Sequence, residues 1–296
     1  MFSISKGKPI TVTRFSGSSS TISNRTCFAL FNNEHVEATP DIKDAICPGC
    51  GAPVIAKCGT QKVHHWAHRN TKICDNWWEP ETQWHRNWKD KFPVEWQEIF
   101  LPDKQTGELH IADVRTEHGL VIEFQHSHIK PEERISREKF YKNMVWVVDG
   151  TRLTRDYPRF VKASKEFHKV RDGIFQHDFA DECFPRQWLY SDVPVIFDFL
   201  GDESSDTVDE RRRKLYCLFP DDNEFEAIFA VISRKAFINA AMSGEWSSRM
   251  QCFLDERRME KLERERRREK ERKQMDAYYA RRRYARMAYK YPRRRL

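Results

Sequence analysis

The sequence contains no apolar run approaching the roughly 20 residues that a membrane-spanning helix requires, and 33% of its 296 residues are charged. Residues 1–15 lack the continuous apolar stretch and small-residue cleavage pattern of a secretory signal, which sets the expectation of a cytoplasmic protein with no membrane partner. Cysteine is sparse and unevenly placed, at 27, 47, 50, 58, 74, 183, 217 and 252. That spacing does not suit a disulfide scaffold; in a reducing compartment, clustered thiols bind metal. A net positive charge is also missing until the end of the chain. Residues 255–296 carry a net +10 and the remainder a net −3, giving +7 overall. A basic tail on a near-neutral body points to a polyanionic partner, nucleic acid ahead of a membrane surface.

Residues 1–25 read as a Ser- and Thr-rich leader, and 27–37 as a small hairpin turning at Asn32-Asn33. Residues 79–91 have the pattern of a helix. Strands are predicted at 94–100, 108–116 and 120–127, the last two joined by a tight turn at Glu117-His118-Gly119. Pro131 suits the first position of a helix over 131–144, and 145–148 is a short apolar strand. The order over 79–150 is therefore α-β-β-β-α-β. Beyond it, the pattern predicts a helix over 159–170, strands at 215–219 and 227–233, and a helix over 234–243. Residues 203–209 read as an acidic linker. From 255 to 288, opposite charges recur at i,i+4 and favour a solvated helix; the Arg- and Tyr-rich segment 278–296 is expected to be unstructured until bound.

Cys47-Pro48-Gly49-Cys50 is a CxxC knuckle. A hairpin with arms 54–56 and 62–64 around Gly59-Thr60 would return His65-Trp66-Ala67-His68 to it. Zinc takes four N or S ligands in a tetrahedron. Cys47 and Cys50 supply two; His65, His68 and Cys74 compete for the other two, with Cys58 a weaker candidate. No thioredoxin-like βαβ context favours redox chemistry. A closed site of this kind is structural rather than catalytic.

The segment 108–127 carries the chemistry. Strand side chains alternate faces, so Ile111, Asp113 and Arg115 share one face and Val121, Glu123 and Gln125 share a face of the next strand. A turn centred on His118 sets Asp113 opposite Glu123, with Cβ atoms about 4.5–5.5 Å apart. Two carboxylates that close repel unless a cation lies between them, and such sites suit Mg2+ or Mn2+. Ordinary solvent-facing strand acids are the plain alternative, but acids are depleted in strands and these interrupt apolar runs.

Taken with CPGC, HHWAH, Glu81 to His85, Trp88-Lys89, His110 to Val114, Val121 to Ser127, Arg137, Tyr141 and Val145 to Gly150, this segment resembles the CoiA-like competence nuclease family of the PD-(D/E)xK superfamily. The resemblance covers residues 45–150 closely and 215–245 loosely. It implies a restriction-endonuclease-like α-β-β-β-α-β core of mixed α+β or α/β class, preceded by a small zinc-binding β-hairpin module and followed by a helical basic tail. It also implies Mg2+- or Mn2+-dependent DNA cleavage in the processing of incoming or recombining DNA. Asp113 and Glu123 would ligate the catalytic metal. Gln125 stands where the motif has lysine; glutamine orients a water but brings no positive charge. The expected divisions are 1–40, 41–78 (zinc module), 79–155 (nuclease core), 156–250 (α/β extension) and 251–296 (tail).

Glu81, His85 and Lys89 fall at i, i+4 and i+8 on one helical face. Glu81 resembles the acid that the superfamily places on its first helix. His85 is a candidate for proton transfer or phosphate contact; a solvated salt-bridge face is the alternative. Lys89, Arg134, Arg137 and Tyr141 are candidates to reach DNA phosphates, and Ser127 and His128 to line the same cleft. In the tail, Arg281, Arg282 and Arg283 lie among tyrosines, a mix that neutralises phosphate and stacks on bases without sequence preference. The tryptophans at 66, 77, 78, 84, 88 and 96 suit packing of the zinc module on the first helix better than base stacking. Two further readings stay open: a silent nuclease fold acting as a DNA-binding recombination accessory, and a zinc-dependent scaffold joining recombination or defence proteins to DNA.

Overall fold

The computed structural model describes residues 28–60, 64–69, 77, 81–104, 106–201, 209–220 and 225–290, with side chains through 286. Cys74 and Trp78 lie outside the described residues. Two compact units result, Met1–Gly244 and Glu245–Leu296.

The first unit begins with the predicted hairpin, β1 (Ala29–Phe31) and β2 (Glu34–Val36). Asn32 and Asn33 both adopt left-handed backbone, φ 52 and 63, the conformation that two-residue hairpin turns require and asparagine tolerates. β1 bridges to Ile46, and Ile46 to Pro53. This leads into β3 (Val54–Lys57), which pairs antiparallel with β4 (His65–His68). The second arm was expected at 62–64; the HxxH segment is itself the strand. Ala29, Ala38, Ala45, Cys47, Val54 and Trp66 form a small core. The Trp66 indole donates to Val36 O at 2.9 Å, satisfying its polar edge.

Next come α1 (Gln83–Lys89), β5 (Gln97–Pro102), β6 (Leu109–Arg115), β7 (Val121–Gln125), α2 (Pro131–Tyr141) and β8 (Met144–Asp149). This is the α-β-β-β-α-β order read from the sequence. The first strand starts late because Val94–Trp96 wind into a 3-10 turn. The chain continues through α3 (Asp156–Ala163), β9 (His168–Arg171), β10 (Ile174–His177), α4 (Ala180–Cys183), α5 (Arg186–Leu189), β11 (Val195–Asp198), β12 (Lys214–Leu218), β13 (Ala227–Ser233) and α6 (Arg234–Met242). One nine-stranded sheet results, in the order β5-β6-β7-β8-β11-β12-β13-β10-β9. The residues expected as a C-terminal extension thus continue the sheet of the preceding segment. At its centre β7, β8 and β11 run parallel, and the other pairs are antiparallel. Parallel strands are covered on both faces and read as unbroken apolar runs, as MVWVVD of β8 and VIFD of β11 do, every residue buried.

One face packs Trp146, Val148, Phe197 and Phe229 against Phe160, Phe184 and Trp188 of the α3–α5 layer. On the other, Trp88 of α1 stacks on Phe124 and meets Phe237 of α6 edge-on. The second unit is one helix, α7 (Glu245–Lys290). It continues through the segment expected to be loose from 278, since Arg, Ala, Lys and Met favour helix and no proline intervenes before 292. Arg282 reaches the hydroxyl of Tyr278, one turn earlier, at 3.4 Å. No helix of the described residues is long and apolar enough to cross a membrane.

Candidate active site and metal centre

The ladder between β6 and β7 pairs Arg115 with Val121 and Val114 with Ile122 and then stops. From there the carboxylates take over. The Asp113 amide donates to Glu123 Oε1 at 3.3 Å, and the Phe124 amide donates to Asp113 Oδ2 at 2.9 Å. The two strands are held apart, with the acids fixed between them. On the far side, Gln97 pairs with Val114 and Ile99 with Ala112, which sets Glu98 opposite Asp113. Glu98, Asp113 and Glu123 therefore form a row across three neighbouring strands. Glu98 has a left-handed backbone, φ 52, a conformation that costs a non-glycine residue of order 1 kcal/mol. Its carboxylate is held from both ends, by the Phe28 amide at 3.0 Å and Lys89 Nζ at 3.1 Å.

Each layer of helices sends one cation to this row. From α1, Lys89 Nζ lies 2.9 Å from Glu81, 3.1 Å from Glu98 and 3.2 Å from Asp113. From α2, Arg137 donates to Glu123 Oε2 at 2.8 Å and to Glu133 at 2.5 Å, and also to the Trp77 carbonyl. Lys89 and Arg137, expected to reach DNA, are instead buried and bound to carboxylates. Burial opposes the charge of Lys89, but Glu81, Glu98 and Asp113 outweigh it and raise its pKa. Glu123 is pushed up to about 8 by burial and the neighbouring Asp113 charge, against the pull of Arg137. Glu98 is pushed up to about 7, again mainly by burial. Glu81, Glu98, Asp113, Glu123 and Glu133 outnumber Lys89, Arg137 and Arg86, which lies 3.8 Å from Glu81. The cluster thus has more acidic than basic groups, an imbalance that protons or a further cation relieve. Carboxylate oxygens suit a hard divalent ion. The way in is at Asp113, whose side chain is 24% exposed against 2% for Glu123.

These shifts set a pH dependence. Glu123 unfolds into water with an ordinary value near 4.5 but holds its proton to about 8 when folded. Between those values unfolding releases a proton, so stability in buffer without divalent metal falls as pH rises. Urea denaturation at pH 5.5 and 8 is expected to show this decline, and Glu123→Gln to flatten it.

The remaining candidates divide. Glu81 precedes α1 rather than lying on it, because Thr82 is the helix cap, yet it still meets Lys89. His85 is buried with both ring nitrogens engaged: Nδ1 accepts from the Thr82 amide at 3.1 Å and Nε2 faces Phe124 O at 2.8 Å. That pattern assigns the proton to Nε2. The imidazole clamps the start of α1 to β7 beside the acids and does not open to solvent as a phosphate contact would. Gln125 is buried, its amide donating to Ser127 O at 3.3 Å and Oγ at 3.2 Å. Arg134, expected at phosphate, is buried against both oxygens of Glu138 at 2.7 Å. Glu138 in turn accepts from Trp146 and Ser191. Tyr141 packs edge-on to Trp77. Ser127 and His128 line a cleft past the end of β7, but not one shared with Asp113 and Glu123, which are not among its lining residues. In the second unit, Arg281, Arg282 and Arg283 are exposed.

Three residues outside the expected set hold the site. Glu98 completes the row. Asp198, at the end of β11, accepts the indoles of Trp84 and Trp88 at 3.2 and 2.9 Å and pairs with Arg234, which fixes α1. Asp149, at the end of β8, binds His126 at 2.7 Å and Thr151. For Asp149 and Asp198 the sequence signal was an acid at the end of an apolar run.

In the N-terminal module, ligand atoms of Cys47, Cys50 and His68 lie within 4.8 Å of one another, and Cys50 Sγ is 3.3 Å from His68 Nε2. Two thiols and an imidazole this close can hold a metal ion, and the donor set is that of zinc. Gly51, φ 68, closes the knuckle, its amide donating to Cys47 O at 2.9 Å. A side chain at Gly49 would strike Phe100 and Leu109, so the knuckle sits directly on β5 and β6. Expected ligand His65 is absent from the group for a simple reason. Residues i and i+3 of a strand point to opposite faces, so only one histidine of the HxxH segment faces the thiols. Cys58 bonds Ala38 O at 3.6 Å instead.

Residues 31–76 match the family model of the competence protein CoiA, N-terminal domain. The chain is also 28% identical over 138 residues to a protein of Bacillus subtilis (strain 168) named "Competence protein CoiA". That match takes in 41% of this chain and 35% of the relative, so the chain spans about a third of its length. Both findings support a relationship to CoiA. No solved structure matches the chain.

Proposed function

We propose that the chain is a divalent-metal-dependent deoxyribonuclease with a restriction-endonuclease-like core, acting on DNA in competence or recombination. The surplus of carboxylates over cations around Asp113 carries the reading. Asp113 and Glu123 are fixed by main-chain amides where the β6–β7 ladder stops, and the acids of the cluster are held by protons as well as by the cations beside them. Mg2+ or Mn2+ bound there would supply a lowered water pKa and neutralise charge developing on a phosphodiester. Asp113 and Glu123 would hold it. Lys89, 3.2 Å from Asp113, brings the positive charge that Gln125 does not, and Gln125 orients water. His85 and Arg137 keep β7 and Glu123 in place. The likeness to a competence protein supports DNA as the substrate and recombination proteins as partners. The test is cleavage of plasmid and single-stranded DNA with added Mg2+ or Mn2+; intact DNA after prolonged incubation with both metals would refute it.

A second reading has its own support. Lys89 and Arg137 already partner the two acids, as they would in a silent fold that binds DNA without cutting it. In that case binding persists and cleavage is absent.

Zinc at Cys47, Cys50 and His68, with Cys74 available from outside the described residues, would be structural. The exposed arginines of α7 would bind phosphates without sequence preference. Each phosphate neutralised contributes about −0.9 to the slope of log affinity against log salt on duplex DNA. Deleting residues 255–296 is expected to flatten that slope by several units in fluorescence anisotropy, and an unchanged slope would assign binding to the first unit alone.

A further inference from the structure

A cleft of about 370 Å3 opens at the C-terminal ends of β7, β8 and β11. Small-ligand clefts run from roughly 300 to 1,000 Å3, and crevices at the carboxyl ends of parallel strands are where open α/β sheets bind ligands. Its lining includes His126, His128, Arg152, Arg155, Arg159 and Arg186. The acids among them are already engaged. Asp149 holds His126 at 2.7 Å and Thr151 at 2.6 Å, and Asp156 holds Arg159 at 3.2 Å. Arg186 reaches Asp181 at 3.4 Å. Arg152 and Arg155 form no side-chain ion pair among the described residues; burial raises the Asp156 pKa, and both lie near enough, with Arg159, to oppose that rise. Below this rim, Val148, Phe197, Phe199 and Trp188 make an apolar floor.

We propose that this cleft binds a phosphate monoester, that of the terminus of a nucleic-acid strand. Arg152 and Arg155, without an ion pair among the described residues, beside a carboxylate-oriented imidazole match a group of charge about −1.5 to −2 better than the single charge of an internal diester. Arginine also binds phosphate bidentately. The cations converge on one pocket over an apolar floor, which suits one end nucleoside rather than a continuous backbone. The proposal rests on nucleic acid being the substrate, but not on cleavage.

The test uses the full chain carrying Asp113→Asn, with no divalent cation added, so that nothing is cut. Three oligonucleotides of one sequence are compared by fluorescence anisotropy: 5′-phosphorylated, 3′-phosphorylated and unphosphorylated. One phosphorylated end is expected to bind at least about tenfold more tightly than the unphosphorylated strand. Arg152→Gln with Arg155→Gln should abolish the difference, and inorganic phosphate should compete it away. Arg155→Glu, at an exposed side chain, is the second variant should the double one fold poorly. Equal affinity for all three strands overturns the proposal, as does a preference that survives these variants. Inorganic phosphate that binds by calorimetry without any strand preference overturns the strand-end assignment in favour of a free phosphate. A chain that never cuts DNA under any metal still decides the question, because the readout is binding alone.

Discussion

Asp113→Asn and Glu123→Gln are each expected to lower metal-dependent DNA cleavage by at least about 100-fold, the scale seen when one group stabilising transition-state charge is removed. DNA affinity should change little, because neither side chain belongs to the exposed basic surface of α7. The substitutions keep volume and leave an amide oxygen to accept the Phe124 or Asp113 amide, so the strands should stay parted as before. Glu123→Gln also removes a group whose charged form is disfavoured by burial, and this variant is expected to be at least as stable as the parent near pH 8. Loss of cleavage with retained stability and binding separates chemistry from folding. Cleavage by either variant at the parental rate would move the active site elsewhere.

The second large effect concerns the N-terminal module. One zinc per chain is expected by elemental analysis, and its removal by a strong chelator should unfold residues 29–68 locally. Zinc contributes about 10–16 kcal/mol of apparent binding free energy in small modules of this type, and the core of this one is confined to a few side chains around Trp66. Hydrogen exchange should show protection lost in β1 to β4 and kept in β7 and β8. His68→Ala should release the metal, whereas His65→Ala should retain it. Equal retention by both would remove His68 from the ligand set, and well under one zinc per chain after refolding with the metal would remove zinc from the account.

The contrast between the two histidines shows what the sequence conveyed and what it did not. The CxxC was legible from spacing alone, but choosing between His65 and His68 required knowing that the segment is a strand. The opposition of Asp113 and Glu123 followed from a turn centred on His118, a local rule, and the observed register keeps it. The roles of Lys89, Arg134 and Arg137 did not follow. Helical periodicity places them on a face, but only packing reveals that the face meets buried acids. Glu98 was hidden for the same reason. Farther along, β9, β10 and β11 escaped notice because they are four residues each and gain their strand character from neighbours distant in sequence. The expected helix over 159–170 ends early, where Phe167 turns inward to pack on Phe160 and Phe229.

The side-chain rungs between β6 and β7 have one more effect. A carboxylate that stands in for a missing ladder bond cannot swing aside without breaking the sheet around it. An arriving ion would therefore find the acids fixed and would have to displace Lys89 and Arg137 from their outer oxygens. The helices that carry those two cations, rather than the strands, would be the parts that yield as an ion enters.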